Sequence, residues 1–266
     1  MINIDQVLDG PNLFFLAGPC AVESEDVCFR VAEELKRLSE KYNVPIIFKS
    51  SYAKANRLSG ESFSGLGMDT GLEILAKVKQ NFDMPLVTDV HETGETLTAA
   101  GVVDILQIPA FLCRQTELVR TAGATGRWIN IKKGQFLSPE DMDKIAAKAK
   151  SGKVLLTERG SSFGYHNLVV DFRSLLIMKQ FGYPIVFDAT HSLQLPSGGG
   201  KISTGQPEFI IPFAKAAVTI GVNGLFVETH PEPSKALSDA AAMLPLEQFE
   251  TLITEVLKIR KINQKD

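Results

Sequence analysis

The sequence predicts a (β/α)8, or TIM, barrel on two observations. Eight short apolar runs, starting near Phe14, Pro45, Pro85, Asp104, Trp128, Val154, Pro184 and Gly224, each stop at polar or charged residues, and most gaps between them can hold a helix. The chain is 266 residues long, close to the ~250 of a single barrel, and no Ser/Gly-rich linker or low-complexity tract divides it. In this fold the chemistry gathers where the strands end. The run Val186-Phe187-Asp188-Ala189-Thr190-His191 is the clearest case, an apolar strand closing on groups suited to proton transfer or metal ligation.

Residues 2–12 read as a lead-in, a strand or hairpin ended by the turn signal Asp9-Gly10-Pro11. Phe14 to Ala17 is the first strand, stopped by Gly18-Pro19-Cys20. Glu25 to Tyr42 places Val27, Val31, Leu35 and Leu38 at helical spacing and reads as an amphipathic helix, with Cys28 as packing. Pro45 to Phe48 is the second strand. Lys49, Lys54 and Arg57 follow within nine residues, ahead of the glycine-rich Gly60 to Gly67. Three charges alone usually mean a solvated loop, but directly after a barrel strand they point to phosphate or carboxylate binding.

Asp69 to Asn81 is a helix, and Pro85 to Thr88 is a strand ending in Asp89 and His91; a lone histidine there reads as a loop hydrogen-bonding group. Ile105 to Ile108 is the fourth strand and delivers Gln107, after which Arg114 is expected to begin a helix, a favourable place for an anion. Trp128 to Ile131 leads into Lys132-Lys133, of which alternation allows only one into the barrel mouth. A helix over Asp141 to Lys150 opens at Ser138-Pro139-Glu140. Val154 to Leu156 ends near Arg159, and Asp171 to Gln180 is the next helix. The loop from Ser192 to Thr204, with Ser197-Gly198-Gly199-Gly200, suits a lid. Phe209 to Ile220 is a helix, Leu225 to Val227 the last strand, ending at Glu228, and Leu246 to Ile259 the final helix.

The balance of 28 basic and 31 acidic residues, a net charge of −3, leaves no footprint for nucleic acid or an anionic membrane. The first residues lack a signal-peptide pattern and no apolar run reaches the ~18 residues of a membrane span, so a cytoplasmic protein is expected. Three widely spaced cysteines, Cys20, Cys28 and Cys113, argue against a disulfide framework.

Barrel closure is expected to set strand one beside strands seven and eight, so that Cys20, His191 and Glu228 come from neighbouring strands, with Asp239 in the following loop. Any one of these is more often structural; together, a thiolate, an imidazole and two carboxylates suit a borderline divalent ion such as Zn, Fe, Mn or Co. Lys49, Lys54, Lys132 and Arg159, with Arg57 and Arg114 further out, imply a ligand bearing more than one anionic group.

Nine segments in order then carry a resemblance: Ala17-Gly-Pro-Cys20-Ala-Val-Glu-Ser24, Lys49-Ser-Ser51, Lys54-Ala-Asn-Arg57, Thr88-Asp-Val-His-Glu92, Gln107-Ile-Pro-Ala-Phe-Leu-Cys-Arg-Gln-Thr116, Lys132-Lys-Gly-Gln-Phe136, Leu156-Thr-Glu-Arg-Gly160, Asp188-Ala-Thr-His191 and Glu228-Thr-His-Pro-Glu-Pro233. The chain after residue 13 resembles the 3-deoxy-D-manno-octulosonate 8-phosphate synthases, and Cys20 is similar to the mark of their metal-dependent branch. The resemblance implies condensation of phosphoenolpyruvate with D-arabinose 5-phosphate and water, on the route to lipopolysaccharide. It implies metal ligation by Cys20, His191, Glu228 and Asp239, with His191, Lys54, Asp239 and Cys20 at the catalytic centre. Lys49, Ser51, Lys54, Gln107, Lys132 and Arg159 would hold phosphoenolpyruvate; Asn56, Arg57, Ser59, Asp89 and Arg114 would hold the sugar phosphate, Arg114 across a subunit interface in a homotetramer. Ala53, Leu58 and Ser64 depart from the family's segment, Leu58 removing a hydroxyl and Ser64 a cation from the side of the acceptor phosphate. The related 3-deoxy-arabino-heptulosonate 7-phosphate synthases, a Schiff-base aldolase and a non-catalytic sugar-phosphate-binding barrel are the alternatives.

Overall fold

A computed structural model describes residues 3–54, 63–164, 167–195 and 204–263. Eight parallel strands form the barrel: β1 (Phe14–Gly18), β2 (Ile46–Lys49), β3 (Leu86–Asp89), β4 (Ile105–Ile108), β5 (Trp128–Lys132), β6 (Val154–Glu158), β7 (Ile185–Asp188) and β8 (Gly224–His230). Each pairs with the next, and β8 pairs back to β1 from Phe14↔Gly224 to Gly18↔Glu228, which closes the sheet and leaves the ring without an edge. Closure is tight enough to need glycine: a Cβ on Gly18 would lie 2.1 Å from the Lys49 carbonyl oxygen, and one on Gly224 would lie 2.3 Å from the Phe14 ring.

Alternation along each strand sorts side chains into two cores. Outward residues such as Phe15, Ile46, Leu86, Leu106, Ile129, Leu156 and Phe187 pack under the helices. Inward, Phe14, Leu16, Ile47, Val87, Ile105, Trp128, Leu155, Val186 and Phe226 fill the barrel. Two residues further along seven of the strands the inward position turns polar, giving Lys49, Asp89, Gln107, Asn130, Thr157, Asp188 and Glu228, all buried. The active face is therefore a charged layer resting on an apolar floor.

The lead-in is the helix α1 (Ile4–Leu8), not a strand or hairpin. The Asn3 side chain accepts the N–H groups of Asp5 and Gln6 at 3.1 and 3.4 Å, a local cap that outweighs the turn signal further on. Leu8 is fully buried among the inward residues, and Asp5 accepts from Trp128 Nε1 at 2.6 Å, so α1 plugs the end of the barrel opposite the strand C-termini.

The outer helices are α2 (Glu25–Tyr42), α3 (Met68–Phe82), α4 (Thr96–Ala100), α5 (Thr116–Ala124), α6 (Met142–Ala147), α7 (Arg173–Lys179), α8 (Ile210–Ile220) and α9 (Phe249–Asn263). In α2, Ser24 caps the start by accepting from Val27 N–H at 3.2 Å, and Asn43 ends it in the left-handed region. The expected helix over 141–150 is shorter, because residues 139–141 form a 3-10 turn before it and the chain turns out of it after Ala147, with Lys150 in the left-handed region. The final helix starts three residues later than its pattern suggests, after another such turn at Leu246–Gln248. No helix among the described residues is long and apolar enough to cross a membrane.

Candidate active site

Cys20 follows β1, Glu228 lies within β8, and Asp239 lies in the loop after β8; one ligand atom from each falls within 4.8 Å of the others. Cys20 Sγ is 2.9 Å from Ser238 Oγ and 3.0 Å from Asp239 Oδ2. Burial first, then the carboxylates of Asp239 and Glu228, push the Cys20 thiol well above its ordinary range, so the bare pocket favours the protonated thiol. A divalent cation reverses that preference. Glu228 Oε2 is buried with no hydrogen-bond partner among the described residues, as a carboxylate oxygen reserved for a ligand would be. Soft sulfur, two carboxylates and an orphaned oxygen fit a divalent metal ion. His191, the fourth donor expected, stands beside this group: its Nε2 is 3.5 Å from Glu228 Oε1.

His191 is oriented from behind. Asp188 Oδ2 lies 2.8 Å from its Nδ1, and Asp188 Oδ1 accepts the backbone N–H groups of Thr190 and His191 at 3.1 and 2.8 Å. Lys132 Nζ donates to Asp188 Oδ2 at 2.7 Å and sits 3.6 Å from the centre of the Phe226 ring. Burial would raise the Asp188 carboxyl, but His191 and Lys132 outweigh it and hold it far below the usual carboxylate range.

The expected cationic cluster is interleaved with acid. Lys49, 1% exposed, donates to Glu228 Oε1 at 2.8 Å and to the Cys20 carbonyl at 3.1 Å, and Lys54 Nζ is 3.8 Å from the same Glu228 oxygen. Burial opposes the Lys54 charge, yet the carboxylates of Glu228, Asp89 and Asp239 together raise it above the ordinary lysine range. Mutual repulsion among cations is therefore not what these residues report, since carboxylates separate them. Arg159 differs: Nη2 reaches Gln194 Oε1 at 3.2 Å, while Nη1 is buried without a partner among the described residues.

Of the expected substrate contacts, Lys49, Ser51, Lys54, Asp89, Gln107, Lys132 and Arg159 share this mouth. Ser51 hydrogen-bonds the Asp89 carboxylate. Lys133 turns the other way, as alternation requires, with Nζ 3.5 Å from Glu158 and 3.0 Å from Ser161. His91 keeps the structural role, its ring edge-on to Tyr52 and its backbone N–H held by Glu95 at 2.7 Å. Arg114 does not begin a helix: α5 starts at Thr116, and Arg114 is exposed after the short turn at Ala110–Leu112, where Pro109 keeps the backbone extended before it. Asn56, Arg57, Leu58 and Ser59 lie outside the described residues, as does most of the proposed lid, residues 196–203.

Sequence reading misses Asn130 and Thr157. Thr157 Oγ1 donates to Asn130 Oδ1 at 2.5 Å, Asn130 Nδ2 to Gln107 Oε1 at 2.8 Å, and Gln107 Nε2 to Asp89 Oδ1 at 2.7 Å. This one-way chain across four adjacent strands fixes which end of the Gln107 amide faces Asp89. The signal was available in the rule that finds Lys49 and Glu228, namely the polar residue two positions after an inward apolar one.

Residues 2–265 match the model of the DAHP synthetase I family. The chain belongs to that family. Among its members, the chain is 53% identical over 259 residues to the 2-dehydro-3-deoxyphosphooctonate aldolase of Dichelobacter nodosus, covering 96% of this chain and 93% of that one. It is 55% identical over 243 residues to the protein of the same name from Acidithiobacillus ferrooxidans, covering 90% and 86%. To that of Bordetella pertussis it is 49% identical over 272 aligned positions, covering 99% and 95%. The family match therefore spans the whole barrel, including both loops that carry the Cys20 and Asp239 group.

Proposed function

We propose that the chain condenses phosphoenolpyruvate with D-arabinose 5-phosphate and water, giving 3-deoxy-D-manno-octulosonate 8-phosphate and inorganic phosphate on the route to lipopolysaccharide. The observation that carries this reading is the pairing, at one barrel mouth, of a buried guanidinium nitrogen on Arg159, free among the described residues, with the Cys20, Glu228 and Asp239 donor group. The names borne by relatives at about half identity favour it over the heptulosonate branch, which the family description alone leaves open.

Arg159 and Lys132 hold the enolpyruvate anion, and the Gln107–Asn130–Thr157 chain keeps the neighbouring polar wall from rearranging. Carbon 3 of the enolpyruvate attacks the acceptor aldehyde, water adds at carbon 2, and the resulting tetrahedral hemiketal phosphate expels phosphate. Asp188 keeps His191 Nδ1 engaged, which leaves Nε2 turned toward the Glu228 side of the site. Cys20, Glu228 and Asp239, with His191 beside them, would hold a divalent metal ion. Such an ion would supply Lewis-acid polarisation of the aldehyde or orientation of the attacking water. Lys54, raised above the ordinary lysine range, is a poor Schiff-base amine; Lys132, which burial pushes down, is the lysine that borohydride trapping should examine.

The reading extends to a homotetramer in the cytoplasm, with Arg114 serving a neighbouring site. Exposed Phe111, Phe136 and Phe163, on the loops after β4, β5 and β6, support an interface there.

The test is phosphate release from the two substrates, before and after chelation, then after adding back Mn, Fe or Zn. Loss and recovery are expected. Turnover with erythrose 4-phosphate and none with arabinose 5-phosphate would overturn the acceptor assignment, and full activity after verified metal removal would overturn the metal.

A further inference from the structure

Glu23 lies three residues after Cys20, and its side chain is 6% exposed. Its Oε1 accepts the backbone N–H of Leu237 at 2.8 Å, and the other carboxylate oxygen is 3.6 Å from Nε2 of His230, itself 5% exposed. His230 ends β8, and its Nδ1 accepts the N–H of Glu232 at 3.0 Å, so in the neutral ring the proton is on Nε2, facing Glu23. One carboxylate from the loop after β1 thus holds the loop after β8 by a hydrogen bond at residue 237 and lies against it at residue 230, where His230 Nε2 has no hydrogen-bond partner among the described residues. The next two residues are Ser238 and Asp239, which reach Cys20 Sγ. Asp239 holds φ 46° and ψ 31°, a left-handed conformation uncommon outside glycine, asparagine and aspartate.

We propose that Glu23, through Leu237 and His230, is a positioning residue that clamps the loop after β8 and so delivers Asp239 to Cys20. This rests on the reading of Cys20 and Asp239 as the donor group, but the clamp itself is a contact between two loops and acts with or without metal. It accounts for Glu23 and His230, two charged or titratable groups in the first and last of the quoted segments that binding and catalysis leave unused. Without the clamp, the segment carrying Asp239 relaxes from its left-handed turn and uncovers the thiol beneath it.

The experiment compares wild type, Glu23→Gln and Glu23→Ala, all on a Cys28→Ala and Cys113→Ala background so that Cys20 alone reports. In chelator-treated protein, labelling of Cys20 by an aromatic disulfide reagent is expected to be about tenfold or more faster in Glu23→Ala. Glu23→Gln, which keeps an acceptor oxygen, should fall between. In a parallel titration with Co(II), the thiolate-to-cobalt absorption band should persist in Glu23→Ala with about 10- to 100-fold weaker binding, the loss usual for groups that orient metal ligands. Cys20→Ala should lose the band altogether. Equal labelling rates in wild type and Glu23→Ala would overturn the clamp. A wild type that gives no cobalt–thiolate band overturns the metal reading alone and leaves the labelling rates to judge the clamp. Should Glu23→Ala not fold, Glu23→Gln against wild type makes the same comparison, and equal rates there overturn it.

Discussion

Leaving a charged donor unpaired in a buried site costs on the order of a few kcal/mol, and among the described residues Arg159 Nη1 is such a donor. A planar guanidinium with one free edge suits phosphate or carboxylate better than a lysine can. Arg159→Lys should therefore lower kcat/KM for phosphoenolpyruvate by about 10- to 100-fold while leaving the melting temperature unchanged or higher, a combination that steady-state kinetics and calorimetry read together. Asp188 makes a different case, in acid. Its folded carboxyl is held below its unfolded value of about 3.9, so the stability it contributes is complete above that value and is lost as pH falls below it. Asp89 and Glu228 have the same sign. The melting temperature of chelator-treated protein should drop steeply below about pH 4, and Asp188→Asn should flatten that slope; parallel curves would show that Asp188 is not one of the groups responsible. Both residues stand out in the sequence as strand-end charges. What the sequence hides is that Asp188 serves Lys132 and His191 at once, because that requires strands five and seven to lie across the same mouth.

Elements with strong local signals were legible and weakly signalled ones were not. The helix α2 matches its expected limits of Glu25 and Tyr42, since a serine cap, acidic first turn and five buried positions all agree. The five-residue α1 has one cap and too few turns for a period, so it reads as a strand or hairpin. Its importance comes from packing, which a local pattern cannot show. Leu8 sits fully buried against the floor of the barrel, so Leu8→Ala should cost about 2–5 kcal/mol in denaturant unfolding. Because the floor separates α1 from the polar layer, kcat should stay within about twofold of wild type. A large fall in kcat at unchanged stability would mean that the plug communicates with the active face. The polar layer itself was largely legible: its charged members and Gln107 were found, while Asn130 and Thr157 were passed over because their inward register is set by strands five and six and does not show in the local pattern.

At the scale of the whole molecule, parallel closure does what no linear spacing can, bringing Cys20 within hydrogen-bond reach of Asp239 across 219 positions. The expectation that strand one meets strands seven and eight rested on the fold and held for strand eight alone, because β7 pairs with β6 and β8 and is separated from β1 by β8, whereas the inference of an unbalanced cationic cluster did not survive the discovery of Asp89, Asp188 and Glu228 among the lysines. The proposed oligomer can be tested on the exposed surface around the active face. Phe111, Phe136 and Phe163 are 53%, 55% and 85% exposed, on loops that touch: Ser162 N–H donates to the Gln135 carbonyl at 3.0 Å, and Gly134 lies against the Ala110 carbonyl. Three exposed aromatic rings on successive loops at the active face, with Arg114 exposed on the first of those loops, are the kind of surface the proposed second copy would cover. Sedimentation should find an oligomer, and Phe136→Glu with Phe163→Glu should dissociate it, since two carboxylates cannot be buried there unpaired. If Arg114 serves the neighbouring site, the dissociated protein and Arg114→Ala should share one defect, a raised KM for the sugar phosphate with that for phosphoenolpyruvate little changed. A double variant that keeps the wild-type mass, or a monomer with unaltered KM, would place the interface elsewhere and detach Arg114 from the reaction.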